Sequence, residues 1–205
     1  MAAATIVDFY FDFMSPYAYL AHARLPELAK RHGARLAYHP IDLFRIKLAV
    51  GNTGPSNRDI PLKHRYLRSD LQRWATAYGI PFVPPSGYGS TRLNCGAFRA
   101  IDEGRARYYA DSVWRHVWGS GGAMDDDGLL AAVAKEMSWP EDEFLAYVRS
   151  SEAGRRLEAS NAAALERGVF GVPTMIADGA MWWGNDRLDF LERHLQGRPL
   201  STDNT

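Results

Sequence analysis

Cys95 is the only cysteine in the chain. A lone thiol excludes an intrachain disulfide, a Cys-x-x-Cys redox pair and any multi-cysteine metal site, and it suits a reducing, cytoplasmic setting. Neither sign of charge is in excess: 24 Lys and Arg oppose 24 Asp and Glu. No global field therefore recruits nucleic acid or an anionic membrane. No apolar run approaches the roughly 18 residues of a membrane-spanning helix. No basic segment precedes Ile6-Val7, so no signal peptide is expected. His22, His32, His39, His64, His116 and His194 show no metal-ligand spacing, and no metal is expected. Gly119-Ser120-Gly121-Gly122 lacks the Lys-Ser/Thr of a phosphate-binding loop.

What is present is a globular composition, 46% hydrophobic and 12% aromatic over 205 residues. That length suffices for one domain carrying a large insertion. Residues 6–13 read as a buried strand that stops at Ser15-Pro16. Pro16 suits a first helical position, and Tyr17, Ala21, Leu25 and Leu28 share one helix face. Pro26 predicts a bend or break near Arg24, and Gly33 predicts the helix end. Residues 35–41 read as a second strand, making a β-α-β unit with a parallel crossover. Residues 51–59 and 80–88 are too rich in Gly, Pro, Ser and Asn for regular structure. Helices are expected over 63–78, 91–103, 108–118, 126–137, 141–149 and 152–167. Strands return at 174–177 and 180–183 around Asp178-Gly179, a two-residue hairpin turn. Asn185 or Asp186 then caps a last helix over 187–195. The expected fold is α/β: residues 1–45 and 166–200 form a discontinuous domain, 46–165 an inserted helical domain, and 201–205 a loose tail.

This layout, with Gly171-Val172-Pro173-Thr174 before the third strand, resembles the thioredoxin-like fold. The helical insertion resembles its DsbA branch. In that branch the proline of the Val-Pro-Thr segment is cis and faces the turn that opens the first helix. The redox members begin that helix with Cys-x-x-Cys. Here Ser15-Pro16-Tyr17-Ala18 stands in its place, which excludes disulfide exchange. The Ser-Pro-Tyr start is similar to that of kappa-class glutathione transferases and of 2-hydroxychromene-2-carboxylate isomerases. Longer runs are similar to the isomerases: residues 7–13, Ile41-Asp42-Leu43 with Arg45 and Lys47, residues 54–59, residues 70–74, residues 169–175 and residues 182–188. Together they span nearly the whole chain.

The resemblance implies a homodimeric, glutathione-dependent isomerase. Its reaction interconverts 2-hydroxychromene-2-carboxylate and trans-o-hydroxybenzylidenepyruvate by reversible thiolate addition to an unsaturated ketone. The runner-up is a kappa-like transferase that consumes glutathione, and a third class is a glutathione-binding protein without catalysis. Ser15 has a bland reading, a helix N-cap. The resemblance adds that its hydroxyl donates to a bound thiolate, with Pro16 and Tyr17 beside it. It also implies that the Val172 backbone, before Pro173, pairs with the cysteinyl part of glutathione. Trp183, Gly184, Asn185 and Asp186 read as a strand end and cap; the resemblance adds the γ-glutamyl end, with Asp186 on its ammonium. Lys47, Ser56, Asn57 and Tyr88 lie in or beside segments that are ordinarily just solvated. The resemblance makes Lys47 the partner of the substrate carboxylate and the other three partners of its oxygens. Asn52 is expected to reach glutathione. Cys95 reads as a small buried hydrophobe.

Overall fold

The computed structural model describes residues 4–198, so the expected tail at 201–205 lies outside the described residues. Strand β1 (Ile6–Phe11) leads through a turn into helix α1 (Pro16–Arg31), and β2 (Arg35–Pro40) returns parallel to β1. Near the other end, β3 (Thr174–Ala177) runs antiparallel to β1, and β4 (Ala180–Trp183) antiparallel to β3. The sheet order is β2-β1-β3-β4. Between β2 and β3 the described chain forms only helices: α2 (Leu43–Ala49), α3 (Pro61–Tyr78), α4 (Thr91–Asp102), α5 (Ala106–Trp114), α6 (Asp127–Glu136), α7 (Glu141–Val148) and α8 (Ser151–Glu166). A π-helical turn, Arg115–Gly119, extends α5, and α9 (Leu188–Leu195) follows β4.

The alternation of β1 explains the layering. Val7, Phe9 and Phe11 point into a core shared with Phe13, Tyr109, Trp114 and Phe144, so the helical block packs on that face of the sheet. Phe11 and Phe13 lie 5.1 Å apart and Phe13 and Trp114 4.9 Å, within the range of favourable aromatic pairs. Tyr10 points the other way, to Ile46, Ala164, Val172 and Ile176. No described helix is long and apolar enough to cross a membrane.

Four expectations are corrected. Strand β1 stops at Phe11 instead of Phe13, because side chains take over the hydrogen bonding. The Phe13 N–H donates to Asn94 Oδ1 at 3.2 Å, and Trp118 Nε1 donates to the Phe13 carbonyl at 2.8 Å. Helix α1 runs unbroken through Pro26, with Leu25 and Leu28 on either side buried in the core; packing outweighs the one lost helical bond. Helix α2 was not expected; Asp42 caps it, accepting the Arg45 N–H at 3.0 Å. Neither Asn185 nor Asp186 caps α9, because residues Asn185–Arg187 form a 3-10 turn of their own.

Candidate active site

The turn between β1 and α1 presents Ser15. Its N–H donates to the Asp12 carbonyl at 2.9 Å, and its backbone is extended, as an N-cap requires. Ser15 Oγ accepts the Ala18 N–H at 3.3 Å, so the cap reading holds. The Ser15 carbonyl takes the Ala18 and Tyr19 N–H groups, and Pro16 has none. Among the described residues, the Tyr17 N–H and the Ser15 O–H have no partner. Ser15 is only 5% exposed. The first turn of α1 holds no acidic residue to offset the positive end of the helix dipole.

Beside this turn lies a cavity of about 430 Å³. Tyr17, Val172, Pro173 and the run Trp183-Gly184-Asn185-Asp186 all contribute to its wall. The Val172–Pro173 bond is cis. Gly184 has φ +116°, and its N–H donates to the Pro173 carbonyl at 2.9 Å. At φ +116° an L side chain is strained whatever the space around it, so the turn needs glycine. Asn185 is 2% exposed, and its Oδ1 accepts from the Tyr78 O–H at 3.2 Å. Its Nδ2 is buried with no partner. Such a group costs about 1–3 kcal/mol unless a ligand satisfies it. Asp186 pairs with Arg187 at 2.8 Å, which puts an anion and a cation side by side in the wall.

The remaining wall was not foreseen from the sequence. Helix α3 supplies Tyr66, Asp70 and Trp74, one helical turn apart, and Arg187 completes the set. The Tyr17 O–H donates to Asp70 Oδ2 at 2.7 Å and ties α3 to the start of α1. Burial first, then the Asp70 carboxylate, holds the Tyr17 phenol well above its ordinary pKa, so it stays a neutral donor. The available signal was the Asp70-Leu71-Gln72-Arg73-Trp74 run and the spacing of 66, 70 and 74. Leu67, Leu71, Trp74 and Tyr78 at helical spacing read as a packing face, which masks Tyr66 and Asp70.

Ser15 and Pro16 do not line this cavity; they form the turn immediately before Tyr17. Lys47, Asn52, Ser56, Asn57 and Tyr88 do not line it either. Lys47 is half-buried on α2, and the Asn52 N–H closes that helix on the Lys47 carbonyl at 2.9 Å. Asn52, Ser56 and Asn57 are exposed, and Ser56 is engaged in a local turn with Arg58 and Asp59. The Arg58 guanidinium lies 3.8 Å over the Tyr88 ring and clamps the two irregular segments together. That cation was also missed, since a stacked Arg-Tyr pair 30 residues apart leaves no local pattern. A second cavity, about 460 Å³, is lined by Arg68, Ser69, Gln72, Phe82 and Pro84 and holds none of the expected residues. Cys95 is buried, and burial pushes its thiol up to about 11. The chain thus has no thiolate of its own at neutral pH.

A ligand that fits the first cavity can offer an acceptor to the Asn185 amide and an anion to the Tyr17 N–H, which follows directly on the Ser15 turn. Opposite charges must match Asp186 and Arg187. A thiol-bearing peptide with a free amino acid end has those groups.

The family model for the DSBA-like thioredoxin domain matches residues 6–196. A 2-hydroxychromene-2-carboxylate isomerase of Pseudomonas putida is 49% identical over 187 residues, 91% of this chain and 92% of the relative. A solved structure of a 2-hydroxychromene-2-carboxylate isomerase superposes with a TM-score of 0.90 at 48% identity, covering 94% of this chain and 95% of that one. Glutathione S-transferase kappa 2 of Caenorhabditis elegans is 26% identical across 94% of both chains.

Proposed function

The chain belongs to the DSBA-like thioredoxin family, among the 2-hydroxychromene-2-carboxylate isomerases, and on that premise we propose that it is a glutathione-dependent isomerase. Its proposed reaction interconverts 2-hydroxychromene-2-carboxylate and trans-o-hydroxybenzylidenepyruvate. The isomerase relatives support the reaction, and the kappa transferase, distant as it is, supports the cofactor. The observation that carries the reading is Ser15: a buried hydroxyl at a helix N-terminus, its proton free to donate, in a chain without a reactive thiol.

When bound, glutathione supplies a thiolate nucleophile that is returned after each turnover. The Ser15 O–H and the Tyr17 N–H hold that anion against the positive end of α1. The Val172 N–H and carbonyl, which bond no other described residue, pair with the peptide backbone of the ligand. Asp186 receives its ammonium, Arg187 its carboxylate, and Asn185 Nδ2 an amide oxygen. The Tyr17–Asp70 bond keeps α3 along the wall of the pocket. On the substrate side, Lys47 attracts the carboxylate, with Arg58 as a further cation. Asn57, Ser56 and Tyr88 donate to the hydroxyl and carbonyl oxygens, where negative charge develops.

An ultraviolet time course of the chromene, with glutathione present far below substrate, tests the proposal. Conversion should run well past one turnover per glutathione. Conversion at full rate without glutathione would remove the cofactor, and one equivalent consumed per turnover would make the protein a transferase.

The Asp186 assignment has its own readout. A charge-assisted hydrogen bond contributes about 1.5–3 kcal/mol. Asp186→Ala should therefore raise the KM for glutathione by at least about tenfold, with kcat at saturation nearly unchanged. An unaltered KM would take Asp186 out of the site.

A further inference from the structure

Asp12 is 1% exposed, and no basic side chain pairs with it among the described residues. Four donors surround its carboxylate. Oδ1 accepts from the Met14 N–H at 3.0 Å, the Ser90 O–H at 2.6 Å and the Asn94 amide at 2.9 Å. Oδ2 accepts from the Leu43 N–H at 2.9 Å. Taking a carboxylate out of water is expensive, and donors on this scale are what make it tolerable. Burial nonetheless raises its pKa, with the four hydrogen bonds opposing.

The donors come from three segments, and each segment carries a residue of the proposed site. Met14 belongs to the turn that delivers Ser15. Leu43 opens α2, and Lys47 lies one turn further along it. Ser90 precedes α4, and its N–H binds the Tyr88 carbonyl at 3.0 Å. Asn94 reinforces the junction, accepting from the Phe13 N–H and donating to the Ile41 carbonyl. Helix α2 has few other ties: Ile46 is its one buried side chain, and the Asp42 N–H reaches Asn161 at 2.8 Å.

We propose that Asp12 is a positioning residue of the isomerase site, fixing α2 and its Lys47 against the turn that carries Ser15. The proposal rests on the function proposed above for Lys47 and Ser15.

Asp12→Asn tests it. The single amide oxygen stays with Met14, Ser90 and Asn94, and the new NH2 opposes the Leu43 N–H. Donor then faces donor at the start of α2 alone. The KM for the chromene should rise about tenfold, while the KM for glutathione holds within about twofold. In a Lys47→Met background, the same change should alter the chromene KM by less than about twofold. Amide exchange in residues 43–50 should quicken relative to α1, whatever the substrate. An equal effect in both backgrounds, an equal rise in both KM values, or unchanged exchange in α2 would overturn the proposal. If Asp12→Asn does not fold, Leu43→Pro reads the same link. It deletes the donor at a helix position where proline is favoured, and Leu43→Ala, which keeps the N–H, controls for the partly buried side chain that is lost with it. Wild-type protein inactive on the chromene would refute the earlier reading; the exchange measurement decides the Asp12 link separately.

Discussion

Ser15→Ala should lower kcat by about one to two orders of magnitude and leave the KM for glutathione close to wild type. The hydroxyl accepts the Ala18 N–H, which uses a lone pair and leaves its proton to donate. At 5% exposure, water is a poor competitor for that proton. A hydrogen bond to a charged partner contributes about 1.5–3 kcal/mol, and about 1.36 kcal/mol corresponds to a factor of ten. In the proposed binding mode the affinity for glutathione would rest mainly on Val172, Asn185, Asp186 and Arg187, which the substitution does not touch. The thiolate fraction of bound glutathione, read by its ultraviolet absorbance, should fall along with kcat. The lost cap costs about 0.5–2 kcal/mol of stability, so a lower Tm will accompany the effect. A variant with a lower Tm but wild-type kcat and thiolate fraction would reduce Ser15 to a helix cap.

The same residue shows what a sequence can display. The break from an apolar strand to Ser-Pro-Tyr is a local event, and the turn, the helix start and the cap can all be read from it. The hairpin at Asp178-Gly179 is local too. Both residues have positive φ, 49° and 81°, which is the backbone that dipeptide favours. The resemblance in the motif runs then pointed to Val172, Pro173, Trp183, Gly184, Asn185 and Asp186, and those do share one cavity with Tyr17.

What escaped is non-local. The donors to Asp12 come from as far as 82 residues away, and no period of 2 or 3.6 reports such a pairing. The Asp70 side of the pocket rests on a hydrogen bond across 53 residues. Helix α2 was missed although Asp42 is a preferred cap, because the short helix leads straight into the Gly- and Pro-rich residues 51–59. The apolar residues Leu67, Leu71, Trp74 and Tyr78 share one side of α3, yet only Leu71 and Ala75 are buried on that helix. Trp74 from that face, with Tyr66 and Asp70 beside it, lines the site.

His22 should make the stability of the fold strongly pH-dependent. It is 5% exposed, stacked on Phe9 at 6.2 Å and tilted against Trp114 at 4.6 Å, with Nε2 2.9 Å from the Tyr38 hydroxyl. Burial first, and the Arg107 charge second, lower its pKa from 6.5 to about 3. The folded protein therefore requires the neutral ring, while the unfolded chain protonates it below about pH 6.5. The stability it contributes is complete above that pH and is lost progressively as pH falls toward about 3. Between pH 6.5 and pH 4 the loss amounts to about 3 kcal/mol. Asp12 and Asp111 act in the opposite sense, since burial raises both carboxyl groups and protonation favours the folded state. His22→Gln retains an amide that reaches the Tyr38 hydroxyl, removes the titrating ring and keeps both aspartates. Urea unfolding at pH 7 and pH 4 should then show the wild type losing about 3 kcal/mol more than His22→Gln. Equal losses would mean that another group governs the acid sensitivity. A smaller loss in the wild type would mean that the protonated ring is stabilised in the fold, with the Asp111 carboxylate, 3.5 Å from Nδ1, as its partner.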